Sequence, residues 1–378
     1  MRNHKPLMWV VLLAMLAALG CTFGCGAGSH STPPTSSTYA YVAMANPPNG
    51  VGCISQFRVS SSGTLTPLSP MALATDAPDV PFGGGPLAVD PSGQYLFLVG
   101  GGGQGAVSQY VIGADGAVTP NASPYSSAEM LDPLAIAINA GGLTVVTNGV
   151  VLSSYSLGSD GTLTLLNSTP ISNAHALVVD PSGRFIYIDE QAYNTFAVYG
   201  ISADGTLTLN GTIPSEYLPW SLVFSPEGVL YSVDYGAGTI TDYSIDGATG
   251  IPKKVESFST GSAAGASLPQ GMVFDPSGTY AYVTNQAENT VSQFAVDATT
   301  GSLRRNGPDI PTDRDPSPIA IDPSGKFVFV GTLLNGTISQ FSVNADGTLS
   351  SNGAVPGGTN PDNPNTQNIP VAFAFAQR

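Results

Sequence analysis

Side chains that could perform catalysis are scarce in this chain, and the best candidates lie around one histidine. Three histidines occur, His4, His30 and His175, and only His175 lies in the main body of the sequence. A histidine or a carboxylate such as Glu190 can act as the base that activates water. A cation such as Arg314 can stabilise the oxyanion that then develops. We therefore predict a hydrolytic site with His175, Glu190 and Arg314 as catalytic residues.

The sequence lacks the motifs of other common catalytic and metal sites. The sequence contains no G-x-S-x-G nucleophile elbow and no H-E-x-x-H run, the patterns of many serine hydrolases and of zinc proteases. The three cysteines all lie near the N-terminus, at Cys21, Cys25 and Cys53, and their spacing does not suggest a metal site. We predict neither a metal nor a cofactor. A Cys25–Cys53 disulfide and a lone Cys53 thiol both remain open.

The N-terminus carries the pattern of an export signal. Arg2 and Lys5 precede an uncharged apolar run that ends at Cys21 and is too short for a spanning helix. The run Ala18-Leu19-Gly20-Cys21 resembles the lipobox of bacterial lipoproteins, which implies that Cys21 is lipidated. We predict a signal peptide over residues 1–20, a lipidated cysteine and flexible tether over 21–36, and an extracytoplasmic, membrane-anchored protein. A cleaved signal without lipid is the alternative.

Charge and composition exclude some partners and favour many short strands. The formal net charge is −15, and such an acidic surface repels phosphate backbones, so nucleic acid is not expected as a partner. Charged residues make up only 10% of the chain, whereas it contains 45 glycines and 31 prolines. This balance is typical of proteins with many turns.

Two turn motifs recur along the chain, which indicates a repeat protein. A D-P-S-G-like turn ends at Gly93, Gly142, Gly183, Gly228, Gly278 and Gly325. An A-D-G-T-L-like turn reaches its glycine at Gly63, Gly116, Gly161, Gly205, Gly250, Gly301 and Gly347. Short apolar or alternating runs between the turns read as strands. Repeats of about 45 residues are typical of β-propellers, in which each repeat is a four-stranded blade.

The unequal counts of the two motifs predict how the ring closes. The first copy begins at Ser37 with a second strand and lacks an inner strand, whereas Ile369 to Arg378 matches the inner-strand pattern. We therefore predict an all-β fold: one seven-bladed propeller over residues 37–378, closed by the C-terminal strand pairing into the N-terminal blade. Closure removes exposed sheet edges.

Most conspicuous repeated residues have structural explanations. Aspartates at the turns, such as Asp180 and Asp275, are expected to accept hydrogen bonds from their own turn. Aromatic residues at strand positions are expected to pack between blades; the examples are Tyr95, Phe97, Tyr187, Tyr282 and Phe329.

The run Asp275 to Leu303 is similar to the YVTN-type propeller repeat, and the domain resembles the lactonase-type seven-bladed propellers that include 6-phosphogluconolactonase. In that family a segment like G-P-R-H-x-x-F-H-P precedes N-E one strand later. Here Asn173 to Pro181 reads N-A-H-A-L-V-V-D-P, and I-D-E-Q follows. Glu190 matches the family glutamate. His175 occupies the arginine position, and Ala176 and Asp180 stand where the family has histidines.

Propeller geometry collects the variable loops at one mouth of the central channel, the default ligand site. We predict ligand-binding residues at this mouth: Asp189, Tyr193, Trp220, Asp234 and Tyr235, with Glu288 and Asp315 nearby. Three functions remain open. The first is an envelope module that binds a small molecule, a glycan or an envelope protein, the second is a lactone hydrolase, and the third is a structural spacer. A monomer is expected in each case.

Overall fold

The computed structural model describes residues 37–45, 52–74, 86–100, 106–121, 125–126, 133–172, 174–190, 192–262, 267–358 and 368–378. These residues fall in one compact unit, Ser36–Arg378. Every regular element among the residues described in it is a β-strand. Short strands joined by glycine turns are what the composition predicts.

The strands are numbered in chain order and group into consecutive blades. Blades one to three use β1 (Thr38–Ala45), β2 (Cys53–Val59), β3 (Leu65–Ala74), β4 (Leu87–Val89), β5 (Tyr95–Gly100), β6 (Ala106–Ile112), β7 (Val118–Pro120), β8 (Tyr125–Ser126), β9 (Ala135–Ile138), β10 (Leu143–Thr147), β11 (Val151–Leu157) and β12 (Leu163–Pro170). Blades four and five use β13 (Leu177–Val179), β14 (Phe185–Glu190), β15 (Thr195–Ile201), β16 (Leu207–Pro214), β17 (Pro219–Phe224), β18 (Leu230–Asp234), β19 (Thr239–Ile245) and β20 (Pro252–Ser259). Blades six and seven, with the closing strand, use β21 (Pro269–Phe274), β22 (Tyr280–Asn285), β23 (Thr290–Val296), β24 (Leu303–Arg305), β25 (Ile310–Pro311), β26 (Pro316–Ile321), β27 (Phe327–Thr332), β28 (Thr337–Val343), β29 (Leu349–Pro356) and β30 (Ile369–Gln377).

The ring closes as the sequence predicts. The first sheet has the order β3-β2-β1-β30, so the last strand of the chain is the inner strand of the first blade. Strands β1 and β30 run antiparallel from the Thr38–Gln377 pair to the Ala45–Ile369 pair. The seven-bladed propeller and its closure are therefore confirmed.

Two blades depart from the simple four-stranded pattern. In the second blade β7 and β8 both pair with β6, and in the sixth β24 and β25 both pair with β23. In each case one outer strand is divided into two short segments. In the sixth blade the interruption contains Gly307 and Pro308, and proline cannot donate a backbone hydrogen bond to a sheet.

The hydrophobic core consists of seven clusters, each formed by the facing surfaces of two adjacent blades. One cluster joins Phe57 and Val42 of the first blade to Phe329 and Ile338 of the seventh. Tyrosine hydroxyls add hydrogen bonds between adjacent blades. The Tyr187 hydroxyl donates to the Gly250 carbonyl of the next blade at 2.8 Å. In the same way, the Tyr282 hydroxyl of the sixth blade donates to the Gly347 carbonyl of the seventh at 2.8 Å. The expected inter-blade role of the strand aromatics is confirmed.

The D-P-S-G-like turns are held by their aspartates, as predicted. In the turn after β13, the two carboxylate oxygens of Asp180 accept backbone N–H groups from Ser182 at 3.1 Å and from Phe185 at 2.7 Å. Asp275 does the same for Ser277 and Tyr280. The turn glycines adopt positive φ, for example 70° at Gly183, where a residue with a Cβ would be strained.

Several predicted features lie outside the described residues: the signal peptide, the lipidation site Cys21, the tether, and Cys25. Cys53 is described and is a free, buried thiol on β2. Burial raises its pKa to about 12. Within the described ranges, no helix has the length and apolar character needed to cross a membrane.

Candidate functional site

His175 lies at the entry to the inner strand of the fourth blade, two residues before β13. Its backbone N–H donates to the Asp189 carbonyl at 3.2 Å, and the N–H of Asp189 donates back to the Ala176 carbonyl at 3.1 Å. This pair of bonds extends the β13–β14 ladder to the strand entry. The backbone therefore fixes His175 opposite the end of β14.

The side chain of Asp189 faces His175 from the same sheet. Its Oδ1 accepts the backbone N–H of His175 at 3.1 Å and that of Ala176. Its Oδ2 lies 3.7 Å from Nδ1 of His175, longer than a hydrogen bond. Neither of these two atoms has a hydrogen-bond partner among the described residues. They form an Asp–His dyad that would tighten if the imidazole became positively charged.

Burial controls the electrostatics of the dyad. Asp189 is completely buried, whereas 19% of the His175 side chain is accessible. Burial raises the pKa of the Asp189 carboxyl, and its contacts with His175 and Ala176 oppose that rise. The carboxylate is thus shielded from solvent, while part of the imidazole remains accessible.

Two aromatic side chains extend the site outward from His175. The ring centroid of Trp220, on β17 of the next blade, lies 4.7 Å from that of His175. Tyr235, which follows β18, lies 5.2 Å from Trp220. The predicted residues His175, Asp189, Trp220 and Tyr235 are therefore brought together by two adjacent blades.

Trp220 also lines a cavity of about 270 Å³ in the central channel. Inner strands of six blades form its wall, and three side chains offer polar groups to it: Ser221, Gln270 and Ser317. Gln270 is 4% exposed, and within the described residues its Oε1 has no hydrogen-bond partner. This oxygen has no accessible surface, so it is a buried acceptor without a partner, and such a group is costly.

The structure places Glu190 differently from the sequence prediction. Its carboxylate accepts a hydrogen bond from the Thr195 hydroxyl at 2.7 Å, across the loop that joins β14 to β15. The same position in other blades makes the same kind of contact, as shown by the pairs Asp234–Thr239, Asn285–Thr290 and Thr332–Thr337. Glu190 therefore braces a turn in a repeated manner, and Asp189 is the acid paired with His175.

Asp234, expected to bind ligand, is instead completely buried. The hydroxyls of Ser232, Thr239 and Thr241 donate to its carboxylate at 2.6, 3.2 and 2.7 Å. Burial raises its pKa to about 6, and these hydrogen bonds oppose the rise. A ligand in the channel cannot reach this carboxylate, so we correct its assignment to a structural role.

The remaining predicted residues lie on the same side of the propeller but do not contact the dyad. Arg314 is exposed at the entry to the seventh blade, and no described hydrogen bond or ion pair involves it. Glu288 accepts the backbone N–H of Ser262. Asp315 donates its own N–H to the Asn289 side chain at 2.7 Å. Tyr193 is 64% exposed.

Sequence reasoning missed Gln270 and Tyr217. Gln270 has a signal in the sequence, because it lies five residues before the turn residue Asp275, as His175 lies five residues before Asp180. Tyr217, which is 60% exposed, lies two residues before Pro219, the first residue of β17. No group of three or more His, Cys, Asp or Glu side chains able to hold a metal occurs among the residues that the structure describes.

The sequence profile of the lactonase, 7-bladed β-propeller family matches residues 158–261 and 221–366. The two matches together cover more than half of the chain. The chain belongs to this lactonase propeller family. The first match begins in the third blade and therefore includes the segment with His175 and Asp189. Curated protein sequences yield no significant match to the chain.

Solved structures of similar shape include several lactonase propellers. A provisionally named 6-phosphogluconolactonase from Bacteroides uniformis has a TM-score of 0.75 at 20% identity, over 90% of this chain and 99% of that one. Another, from Bacteroides fragilis, has a TM-score of 0.73 at 19% identity, over 92% and 99%. The periplasmic gluconolactonase of Pseudomonas aeruginosa has a TM-score of 0.73 at 16% identity, over 90% and 99%. At these identities the likeness demonstrates a shared fold.

Proposed function

We propose that this lactonase-family propeller hydrolyses an uncharged lactone at the mouth of its central channel. The observation that carries the proposal is the His175–Asp189 dyad, which stands beside the exposed edge of Trp220 and next to the central cavity. The turn contact of Glu190 recurs in other blades, whereas position 189 has no acidic counterpart at the equivalent places Val233, Thr284 and Gly331. A departure from the repeat is where a function can be added to a scaffold.

The dyad supplies the base that ester hydrolysis needs. His175 accepts a proton from water through Nε2 as the water oxygen attacks the lactone carbonyl. Asp189 lies on the opposite side of the ring and stabilises the resulting imidazolium through Nδ1. The ring C–O bond then breaks, and the leaving alkoxide takes the proton back from His175. The product is the open-chain hydroxy acid.

The surroundings favour a lactone without a phosphate group. Trp220 and Tyr235 provide apolar ring faces, and Ser221, Gln270 and Ser317 are polar residues in the wall of the cavity. The chain is strongly acidic, with a net charge of −15, and an acidic surface repels anionic ligands. A neutral ring with hydroxyl groups fits this combination better than a phosphorylated one. Arg314 remains the predicted partner of the oxyanion.

The test is pH-stat titration of acid released by the purified full chain. The panel contains glucono-δ-lactone, δ-valerolactone, γ-butyrolactone and 6-phosphogluconolactone, each corrected for spontaneous hydrolysis. We expect saturable acceleration with at least one neutral lactone and a lower kcat/KM with the phosphorylated one. Hydrolysis at the uncatalysed rate across the whole panel would overturn the proposal and favour the binding-module or spacer hypotheses.

We also propose export and lipid attachment through Cys21, on the basis of the N-terminal sequence. Metabolic labelling with radioactive palmitate in a bacterial host tests it. Label should appear in the natural chain and in Cys25→Ala, and it should be absent from Cys21→Ala. Label retained in Cys21→Ala would reject this attachment site.

A further inference from the structure

Two tyrosines beside the channel mouth project into solvent, and we call them the tyrosine platform. Tyr193 lies in the loop between β14 and β15, and Tyr217 lies in the loop before β17. They are 64% and 60% exposed. Among the large side chains that the described residues expose strongly, these two alone are aromatic. Large apolar groups that are exposed together can mark a binding surface.

The loops that carry the platform are fixed to each other. The N–H of Ser215 donates to the Asn194 carbonyl at 2.9 Å, and the N–H of Leu218 donates to the Asn194 side chain at 2.7 Å. Asn194 and Leu218 both have positive φ, 52° and 50°. Such conformations are unfavourable for residues other than glycine and persist where the surroundings enforce them. Tyr193 and Tyr217 thus flank one rigid junction between two blades.

Tyr217 is also connected to the dyad. Its ring packs on the backbone of Gly236, where an added Cβ would lie 2.5 Å from a ring carbon. Gly236 follows Tyr235, which packs on Trp220, and Trp220 packs on His175. The rings of His175, Trp220 and Tyr235 therefore form a stack that ends beside Gly236, on which Tyr217 packs.

We propose that the tyrosine platform binds an uncharged oligosaccharide chain. Pyranose rings present faces of C–H groups that stack on aromatic rings, and tyrosine adds a hydroxyl for polar contact. Two acidic residues lie near the platform in the sequence: Glu190, three residues before Tyr193, and Glu216, directly before Tyr217. The nearby cation Lys254 is already paired with Glu216. This arrangement provides acceptors for sugar hydroxyls and disfavours anionic polymers.

The proposal goes beyond lactone hydrolysis, and its evidence is separate, because it requires neither a reactive ring nor the base. Preorganised loops also lower the entropic cost of binding. Two exposed rings on separate loops suit a chain of sugars rather than a single one.

Affinity electrophoresis of the full chain tests this proposal. Native gels contain a neutral β-glucan, a neutral α-glucan, xylan or galactomannan, and alginate serves as the anionic polymer. We expect retardation by at least one neutral polymer and none by alginate. Each of Tyr193→Ala and Tyr217→Ala should weaken the apparent affinity about 3- to 10-fold. Tyr193→Phe should stay near wild type, because its ring face is kept.

The matched control is Leu209→Ala, since Leu209 is 53% exposed on an outer strand and its loss should not alter retardation. No retardation by any neutral polymer would overturn the proposal, as would equal loss in the control. Size-exclusion chromatography adds one more arm. A wild-type dimer that becomes a monomer in Tyr193→Ala/Tyr217→Ala would assign the platform to self-association instead. None of these measurements uses a lactone, so a negative result leaves the hydrolase proposal to its own test.

Discussion

Nδ1 of His175 lies 3.7 Å from Oδ2 of the completely buried Asp189, and neither atom has a hydrogen-bond partner in the described part of the chain. The other carboxylate oxygen of Asp189 holds the backbone at the start of the inner strand. The Asp189 side chain therefore both holds the backbone at the start of the inner strand and faces the imidazole. This double role makes the contributions of charge and of structure separable by mutation.

The first prediction concerns the imidazole. His175→Gln keeps a side chain of similar length and removes the base, so kcat/KM for the best neutral lactone should fall about 10²- to 10⁴-fold. Steady-state pH-stat kinetics measure the change, and circular dichroism verifies the fold. The control is Glu190→Gln, which can still accept the Thr195 hydrogen bond and should stay within about threefold of wild type. Comparable losses in both variants would contradict the assignment of Asp189 as the partner of His175.

The second prediction separates the two roles of Asp189. Asp189→Asn retains an oxygen for the N–H groups of His175 and Ala176 but removes the charge behind the imidazole. We expect kcat to fall about 100-fold or more, with little loss of stability. Asp189→Ala should lose activity as well and also lower the free energy of unfolding by about 1–3 kcal/mol, because buried N–H groups lose their acceptor. Urea denaturation and pH-stat rates measure the two effects. Full activity in Asp189→Asn would exclude an electrostatic role.

The sequence predicts the scaffold well because each blade repeats the same local signals. The Asp180–Gly183 turn and its counterparts specify strand ends, and the offset between the two turn motifs specifies the pairing of Ile369–Gln377 with the first blade. Local chemistry of this kind needs no knowledge of distant contacts.

The site is less predictable because it depends on strand register and on neighbouring blades. Asp189 and Glu190 are adjacent in sequence, and successive residues of a strand point to opposite faces. The residue that faces His175 can be chosen only once the end of β14 is known. The contacts of Trp220 with His175 likewise join positions 45 residues apart, through the packing of the fourth and fifth blades. The role of Asp234 likewise depends on the folded structure, in which three hydroxyls surround the buried carboxylate.

A third prediction tests the hydrogen bonds between blades. Tyr282→Phe removes the hydroxyl that donates to the Gly347 carbonyl at 2.8 Å and leaves that buried carbonyl without the bond. The free energy of unfolding should fall by about 1–2 kcal/mol. Equilibrium urea denaturation measures it, with Tyr217→Phe as the control, since the Tyr217 hydroxyl belongs to an exposed side chain. Equal stability of the two variants would argue against a contribution from this contact.

The fourth prediction concerns Asp234, which is buried among the hydroxyls of Ser232, Thr239 and Thr241. Burial raises its pKa from the ordinary 3.8 to about 6, so the folded state binds this proton more tightly than the unfolded state. The resulting stabilisation is complete below about pH 4 and is lost as the pH rises through 6. Asp234→Asn lacks this titration. The free energy of unfolding of Asp234→Asn, relative to that of wild type, should therefore increase by on the order of 2–3 kcal/mol between pH 4 and pH 7.

Urea denaturation of both proteins at pH 4, 5, 6 and 7 measures this gain, because titrations elsewhere in the chain cancel in the difference. Asp204→Asn provides a control at an exposed carboxyl. Asp204 is an exposed turn residue whose pKa is lowered by hydrogen bonds from the backbone and the side chain of Thr206. A lowered pKa stabilises the folded state above the ordinary pKa of 3.8, and that stabilisation disappears only as the pH falls below it. The difference between Asp204→Asn and wild type should therefore stay nearly constant from pH 4 to pH 7. If the difference in free energy of unfolding between Asp234→Asn and wild type does not vary with pH, burial does not raise the pKa of the Asp234 carboxyl.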